Sequence, residues 1–253
     1  MIKIKCGITG HTGSIGKQIL KEGSSFQFKF FKGDITKKKD VKKWIKNSEF
    51  EYLIHLAAVV PIKEVNSNKI KAFKVNTLGT ENLVDAILVN NNKVRWVFFA
   101  STSHVYSSSR KKISEKSRID PISYYGKTKY YAEKKLKKLN KKKIKVCIGR
   151  IFSTTNINQR KNYLVPDLKN KIKKKERLII LKNLNHFRDF IAIEDIAKII
   201  LYFLKKKITG VINLSTGRPT NLGSIARLIS KKYKKKIKIF YNNRPSFLVG
   251  NNS

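Results

Sequence analysis

The sequence predicts an α/β fold, a doubly wound parallel sheet with a small C-terminal region. Three observations lead there. Short apolar runs alternate with longer polar-apolar periodic segments, the pattern of strand-helix-strand units. The first apolar run passes directly into a glycine-rich turn and then a helical stretch. A hydrophobic fraction of 41% over 253 residues is enough for a buried core.

The elements follow in order. Residues 2–9 read as a strand, with Ile2, Ile4 and Ile8 spaced along it, and residues 14–22 as a helix. Residues 26–31 read as a strand in which phenylalanines alternate with Gln27 and Lys29. A helix is expected over 39–46, and Tyr52, Leu53, Ile54 and Leu56 mark a strand over 51–57. One long helix over 68–90 precedes a strand over 94–100. Pro121 to Ser123 open a helix that runs to about residue 139, and 144–150 form another strand. Beyond it the pattern loosens, with helices over 164–174, 194–204 and 221–233 and strands over 178–181 and 211–214. The chain divides near Arg150 into a first domain, 1–150, and a smaller region, 151–253, which in this topology need not be contiguous.

Composition narrows the function. No stretch approaches the ~20 apolar residues of a membrane helix, and the N-terminus carries no targeting pattern; a cytoplasmic protein is expected. Cys6 and Cys147 sit in separate strands, too few for a disulfide framework. His11, His55, His104 and His186 lack ligand spacing with carboxylates or cysteines, so no metal is expected. The net charge of +41 has two readings. Clustered lysines release counterions from phosphates, which suits a nucleic-acid binder. Here the lysines are spread in short runs along the whole chain, and Lys, Asn and Ile all have A/T-rich codons. Genome composition produces that bias with no partner, so nucleic acid is not expected as a ligand. Such a surface would still steer an anionic substrate.

The glycine-rich turn has the spacing Gly10-x-x-Gly13-x-x-Gly16. One glycine makes the tight turn, one lets the backbone approach a pyrophosphate, and one allows close helix-strand packing. The helix opening at Ser14 and Ile15 presents free N–H groups and the positive dipole end to that diphosphate. Residues 1–150 are thus expected to form a dinucleotide-binding domain.

Taken in order, several segments resemble the extended branch of the short-chain dehydrogenase/reductase superfamily, the NAD-dependent epimerase/dehydratase family. They are the run from Ile8 to Gly16, Lys32-Gly33-Asp34-Ile35, Ile54-His55-Leu56-Ala57-Ala58, and Val75-Asn76 with Gly79, Thr80, Asn82 and Leu83 behind it. The resemblance implies a Rossmann-like sheet and bound NAD or NADP, with Asp34 and Ile35 near the adenine and Leu56, Ala57 and Ala58 flanking the cofactor. It also implies a homodimer formed through the helices near Asn76 and Tyr125. Asp34 lies 18 residues past Gly16, near where a ribose-binding carboxylate is expected, which leans the choice toward NAD. The chain departs from the family in one respect: only residues 26–31 lie between the first helix and Gly33, so one strand-helix unit is abbreviated.

Hydride transfer at a sugar carbon needs a partner for the hydroxyl proton. Tyrosine, with an ordinary pKa of about 10, serves only if something lowers that value, and a lysine four residues on along a helix lies on the same face. Tyr125 and Lys129 have this spacing; so do three other pairs in this lysine-rich chain. Context selects the first, because the run from Pro121 to Lys129 resembles the family's helix opening and follows the hydroxyl-rich Ser101-Thr102-Ser103-His104 strand end. The resemblance assigns Thr102 to the substrate oxygen and Asn76 to a water in the proton relay. Ser103 and His104 stand where sugar dehydratases carry an acidic pair, which argues against dehydration; His104 is either an acid/base or a turn residue.

On the substrate side, Arg150 in Gly149-Arg150-Ile151-Phe152-Ser153 resembles a nucleotide-contacting segment, with Ser153 at the place of an asparagine. Arg188, before Asp189 and Phe190, could hold a phosphate through its planar fork or pair with Asp189. Arg244 matches a late nucleotide-binding arginine. The expected activity is a nucleotide-sugar 4-epimerase or keto-sugar reductase, with residues 151–253 mostly binding substrate. The alternative is a non-catalytic dinucleotide-binding regulatory or RNA-binding module, favoured by charge alone.

Overall fold

The computed structural model describes residues 3–60, 62–90, 93–109, 111–155, 163–242 and 244–251; Ile2, expected in the first strand, lies outside them. Strand β1 (Ile4–Thr9), helix α1 (Ser14–Glu22), β2 (Phe26–Phe30), α2 (Lys38–Lys46) and β3 (Tyr52–His55) follow the expected order. Next come three short pieces: α3 (Ile62–Ser67), α4 (Lys69–Phe73) and a π-helical turn over Lys74–Leu78 that leads into α5 (Gly79–Asn90). The expected 68–90 helix is therefore interrupted. Asn68 separates α3 from α4 because its side chain accepts the Lys71 N–H and starts a new helix. The π turn then widens the helix where Asn76 and Thr77 turn into the core.

Strand β4 (Trp96–Thr102), α6 (Tyr124–Leu136), β5 (Lys145–Ile151) and β6 (Ser153–Thr155) complete the first half. The second holds α7 (Leu164–Ile172), β7 (Leu178–Lys182), β8 (Phe187–Ala192), α8 (Ile193–Lys206), β9 (Gly210–Leu214), β10 (Pro219–Asn221), α9 (Leu222–Lys232), β11 (Lys236–Phe240) and β12 (Phe247–Leu248).

Six strands form the main sheet in the order β2-β1-β3-β4-β5-β9, and every pairing in it is parallel. Among the described residues no strand lies outside β2, which is how the abbreviated unit appears in the fold. Parallel strands need helices on both faces. Val41, Leu83, Val97, Phe99 and Leu136 pack under α2, α5 and α6; Ile8, Ile19, Phe98, Ile196 and Ile200 pack under α1 and α8. The division at Arg150 is crossed: β9 joins the main sheet and α8 covers it, while α7, α9, β7 and β11 enclose a separate small core around Leu168, Ile172 and Leu222. Cys6 and Cys147 are buried free thiols, and burial pushes both up, Cys147 to about 12. Among the described residues no helix is long and apolar enough to cross a membrane, and no group of three or more His, Cys, Asp or Glu could hold a metal ion.

Candidate active site

Strand order reverses between β2-β1 and β3-β4, and a crevice opens outside the carboxyl ends of β1 and β3. A cavity of about 760 Å³ occupies it. Gly10, Gly13, Ser14, Ile15 and Gly16 line one end; Leu56, Ala57 and Ala58 line the wall from β3. Gly10 has φ +73°, and a Cβ there would meet the Ala57 nitrogen at 2.6 Å. Only glycine allows the loop to pass this close to β3. Gly13 precedes α1 and makes no side-chain cap, so the first N–H groups of α1 face the cavity. A diphosphate fits this end on the chemistry of its donors.

Thr102, Ser103 and His104 leave the end of β4 and line the cavity with Tyr125 and Lys129 of α6. Ser123 starts α6: its hydroxyl accepts the Gly126 N–H at 3.0 Å and meets His104 Nδ1 at 3.1 Å. Gly126 is required where it stands, because a Cβ would overlap the His104 carbonyl oxygen. Thr102 and the Tyr125 phenol line the same cavity, and Thr102 Oγ1 accepts the His104 N–H at 3.3 Å. The Lys129 ammonium lies 4.0 Å above the Phe99 ring, with 1% of the residue exposed.

Ionisation at the centre differs from the expectation. Burial raises the Tyr125 phenol above its ordinary value, the Tyr163 phenol raises it further, and the Thr102 hydrogen bond offsets only part of this. Burial lowers Lys129 to about 7, with Glu133 opposing. The expected lowering of the phenol by the lysine does not appear: desolvation dominates both groups, in opposite directions. Burial also holds His104 neutral, at about 4, with the Arg188 charge adding to the effect.

Other expected residues are placed elsewhere. Asn76 is fully buried beside the cavity: its Oδ1 accepts the Val59 N–H at 2.7 Å and its Nδ2 donates to Val59 O and to Thr128 Oγ1, both at 3.0 Å. It ties the β3 loop to α6. Asp34 does not reach the cavity, since its Oδ1 accepts from Thr36 N–H at 2.9 Å and from the Thr36 hydroxyl at 2.8 Å. The carboxylate behind the lean toward NAD is turned into its own loop. Ile35 is a core residue packed against Gly79. Arg150 is corrected from substrate contact to the interior: it forms a two-pronged pair with Glu133 at 3.1 and 2.8 Å and donates to the Tyr106 hydroxyl at 2.9 Å. Arg244 is exposed and lines no part of the cavity.

Arg188 does line the cavity, together with Ser153. It donates to Phe187 O at 2.7 Å and to Ser246 rather than to Asp189, and burial lowers it to about 10. Asp189 instead accepts from Thr216 and from the Gly217 N–H.

Two further residues matter to which the sequence reading assigned no role. His55 joins β1, β3 and α5: Nδ1 meets Thr9 Oγ1 at 2.6 Å and Nε2 meets Thr80 Oγ1 at 3.0 Å. Thr80 gives its own proton to Asn76 O, so His55 Nε2 is the donor and Nδ1 accepts from Thr9. Thr9 Oγ1 in turn accepts the Ala57 N–H, which fixes the cavity wall. Glu133 stands two turns beyond Tyr125 and is buried. Its position, four residues after Lys129, was visible in the sequence.

The model of the NAD dependent epimerase/dehydratase family matches residues 6–215, and the chain belongs to that family. The chain is 30% identical over 237 residues to the GDP-6-deoxy-D-talose 4-dehydrogenase of Aggregatibacter actinomycetemcomitans, covering 89% of this chain and 79% of that one. Its fold is similar to that of the Thermus thermophilus UDP-glucose 4-epimerase in complex with NAD (TM-score 0.83, 18% identity, 98% of this chain and 90% of that one). It is equally similar to RMD from Pseudomonas aeruginosa complexed with NADPH (TM-score 0.84, 18% identity, 98% and 88%).

Proposed function

We propose that this protein is an NAD(P)-dependent enzyme of nucleotide sugars, a keto-sugar reductase or 4-epimerase, with Thr102, Tyr125 and Lys129 at its reacting centre. The observation that carries the reading is the meeting of Thr102, Tyr125 and Lys129 in the same cavity as the glycine loop. The relative named as a 4-dehydrogenase supports redox chemistry at a sugar carbon. The solved structures holding NAD and NADPH support a dinucleotide along the glycine loop, where Gly10, Gly13 and the N–H groups of α1 would hold the diphosphate and Leu56 to Ala58 the wall.

When bound, the nicotinamide supplies or accepts a hydride. This chain's residues handle the oxygen. A neutral phenol, kept protonated by burial, is suited to give its proton to the oxygen of a sugar ketone as that carbon is reduced. Thr102, which lines the cavity with the phenol, would hold the same oxygen. Lys129, when charged, stabilises the phenolate left behind. Dehydration needs a carboxylate to take a carbon-bound proton. The acids lining the cavity are Glu64 and Asp167, and Asp167 is already engaged by Lys63 at 3.3 Å and Lys171 at 2.8 Å.

The test is fluorescence titration with NADH and NADPH, followed by absorbance assays of cofactor oxidation and of sugar interconversion across GDP-, UDP- and dTDP-linked 4-keto and 4-hydroxy sugars. Micromolar binding of one cofactor and turnover of at least one such sugar are expected. Absence of binding by either cofactor would overturn the reading.

A further inference from the structure

Behind Lys129 lies an ionic cluster that the proposed chemistry leaves unused. Tyr125, Lys129 and Glu133 stand at four-residue intervals along α6, one above another on one face, and all three are buried. Glu133 Oε1 accepts from Ser101 Oγ and from Arg150 Nε at 3.1 Å, and its Oε2 accepts from Arg150 Nη2 at 2.8 Å. Arg150 Nη1 donates to the Tyr106 hydroxyl at 2.9 Å, and that hydroxyl donates to Asn213 Oδ1 at 2.7 Å. Each member is tied to a part of the site. Ser101 precedes Thr102 on β4, and Tyr106 ends the turn that carries His104. Arg150 and Asn213 belong to β5 and β9 and supply a rigid floor.

We propose that Glu133 is a positioning residue of this centre: clamped by Arg150 and Ser101, its carboxylate supplies the counter-charge to Lys129 and fixes the strand end bearing Thr102 against α6. A buried carboxylate paired only for stability would be replaceable by apolar side chains of similar size. Here the carboxylate belongs to the residue one helical turn beyond a buried lysine, and it binds Ser101, the residue next to Thr102. Among the described residues, the ionisable groups around Lys129 are His55 on β3, Tyr125 one turn back and Glu133 one turn on, with Arg150 and Tyr106 behind Glu133. His55 is held neutral by burial, with a value of about 3, and Tyr125 is held neutral too, whereas the Glu133 carboxylate is paired with the Arg150 guanidinium at 2.8 Å. Burial sets Lys129 at about 7, and the Glu133 charge acts against that loss.

The inference rests on the reading of Tyr125 and Lys129 given above, but its test needs neither cofactor nor substrate. Protein labelled with 13C at the lysine ε-carbons is titrated from pH 5 to 9 by NMR. Ordinary lysines titrate near 10.4, so a resonance moving near pH 7 and missing from Lys129→Met reports Lys129. Glu133→Gln is expected to lower the proton affinity of Lys129 about three- to tenfold. Arg150→Gln, which leaves the carboxylate uncompensated, is expected to raise it; loosening of the fold alone would not reverse the sign. Thermal unfolding establishes which variants fold, and one folded variant is sufficient to decide. A midpoint within twofold of the parent's overturns the proposal, as does failure of both variants to fold, since the pair would then serve only the fold. In turnover assays the pH profile should follow the NMR shift. An NMR shift without a kinetic one would fault the assignment of Lys129 to the chemistry and leave its coupling to Glu133 standing.

Discussion

Gly126→Ala sets two effects of opposite sign against each other. Gly126 lies in the first turn of α6, directly after Tyr125, and replacing a helical glycine by alanine ordinarily stabilises by about 1 kcal/mol. The added methyl, however, would overlap the His104 carbonyl oxygen and stand 2.7 Å from its carbon. That carbonyl cannot swing aside easily, because it already accepts the Ile122 N–H at 3.2 Å. Backbone must therefore part from backbone, and overpacking of this kind costs about 1–3 kcal/mol. The clash outweighs the helix gain, leaving a net loss of about 1 kcal/mol and a fall in Tm of about 2–4 °C. The displacement also separates the His104 turn from Tyr125 and strains the Ser123 contacts to His104 and to the Gly126 N–H, so turnover should fall about tenfold or more. Differential scanning calorimetry and the cofactor-oxidation assay read the two effects separately. A Tm that rises by 2–4 °C with turnover intact would show that the two segments have room between them, and the close packing argued here would be refuted.

Two other outcomes are expected. Gly16→Ala would place a Cβ 2.6 Å from both Gly10 O and His11 Cα, so the glycine loop must open; NADH fluorescence titration should show affinity at least about tenfold weaker, and unchanged affinity would contradict the placement of the diphosphate. His55 and His104 titrate in the folded chain at about 3 and 4, below their ordinary 6.5, so the unfolded chain binds protons that the folded one refuses. Stability is then lost as pH falls from 6.5 toward those values, at up to about 1.4 kcal/mol per pH unit for each histidine. Urea unfolding between pH 6.5 and 4.5 should show a slope reduced by one proton in His104→Asn, and an unchanged slope would mean that His104 is not buried neutral.

The main sheet was legible because its cues are local. Apolar runs gave β1, β3, β4 and β5, and three glycines marked the turn into α1. Tyr125 and Lys129 were found by combining a four-residue spacing with the hydroxyl-rich end of β4, and both line the cavity. What was missed depends on contacts between distant parts of the chain. Asp34 is the exception: its partner Thr36 lies only two residues on, the reach of an Asx turn, and the count from Gly16 left that local competitor out. Arg150 was read by the family segment it sits in, and only the fold reveals Glu133 within reach. His55 looked like a strand residue, and its polar chain from Thr9 to Asn76 requires three elements to meet. The break at Asn68 did leave a local cue, since asparagine is a preferred helix cap. The direction of the Tyr125 shift could not be read from spacing, because burial of both partners decides it.

The Tyr125 phenol is the group proposed to move the proton. Tyr125→Phe removes one oxygen while leaving the ring in its pocket, so NADH or NADPH affinity should stay within about threefold of the parent. Turnover of any sugar that the parent accepts should fall at least about 100-fold, the scale of a lost general acid. Turnover within tenfold of the parent's, with cofactor still bound, would contradict it.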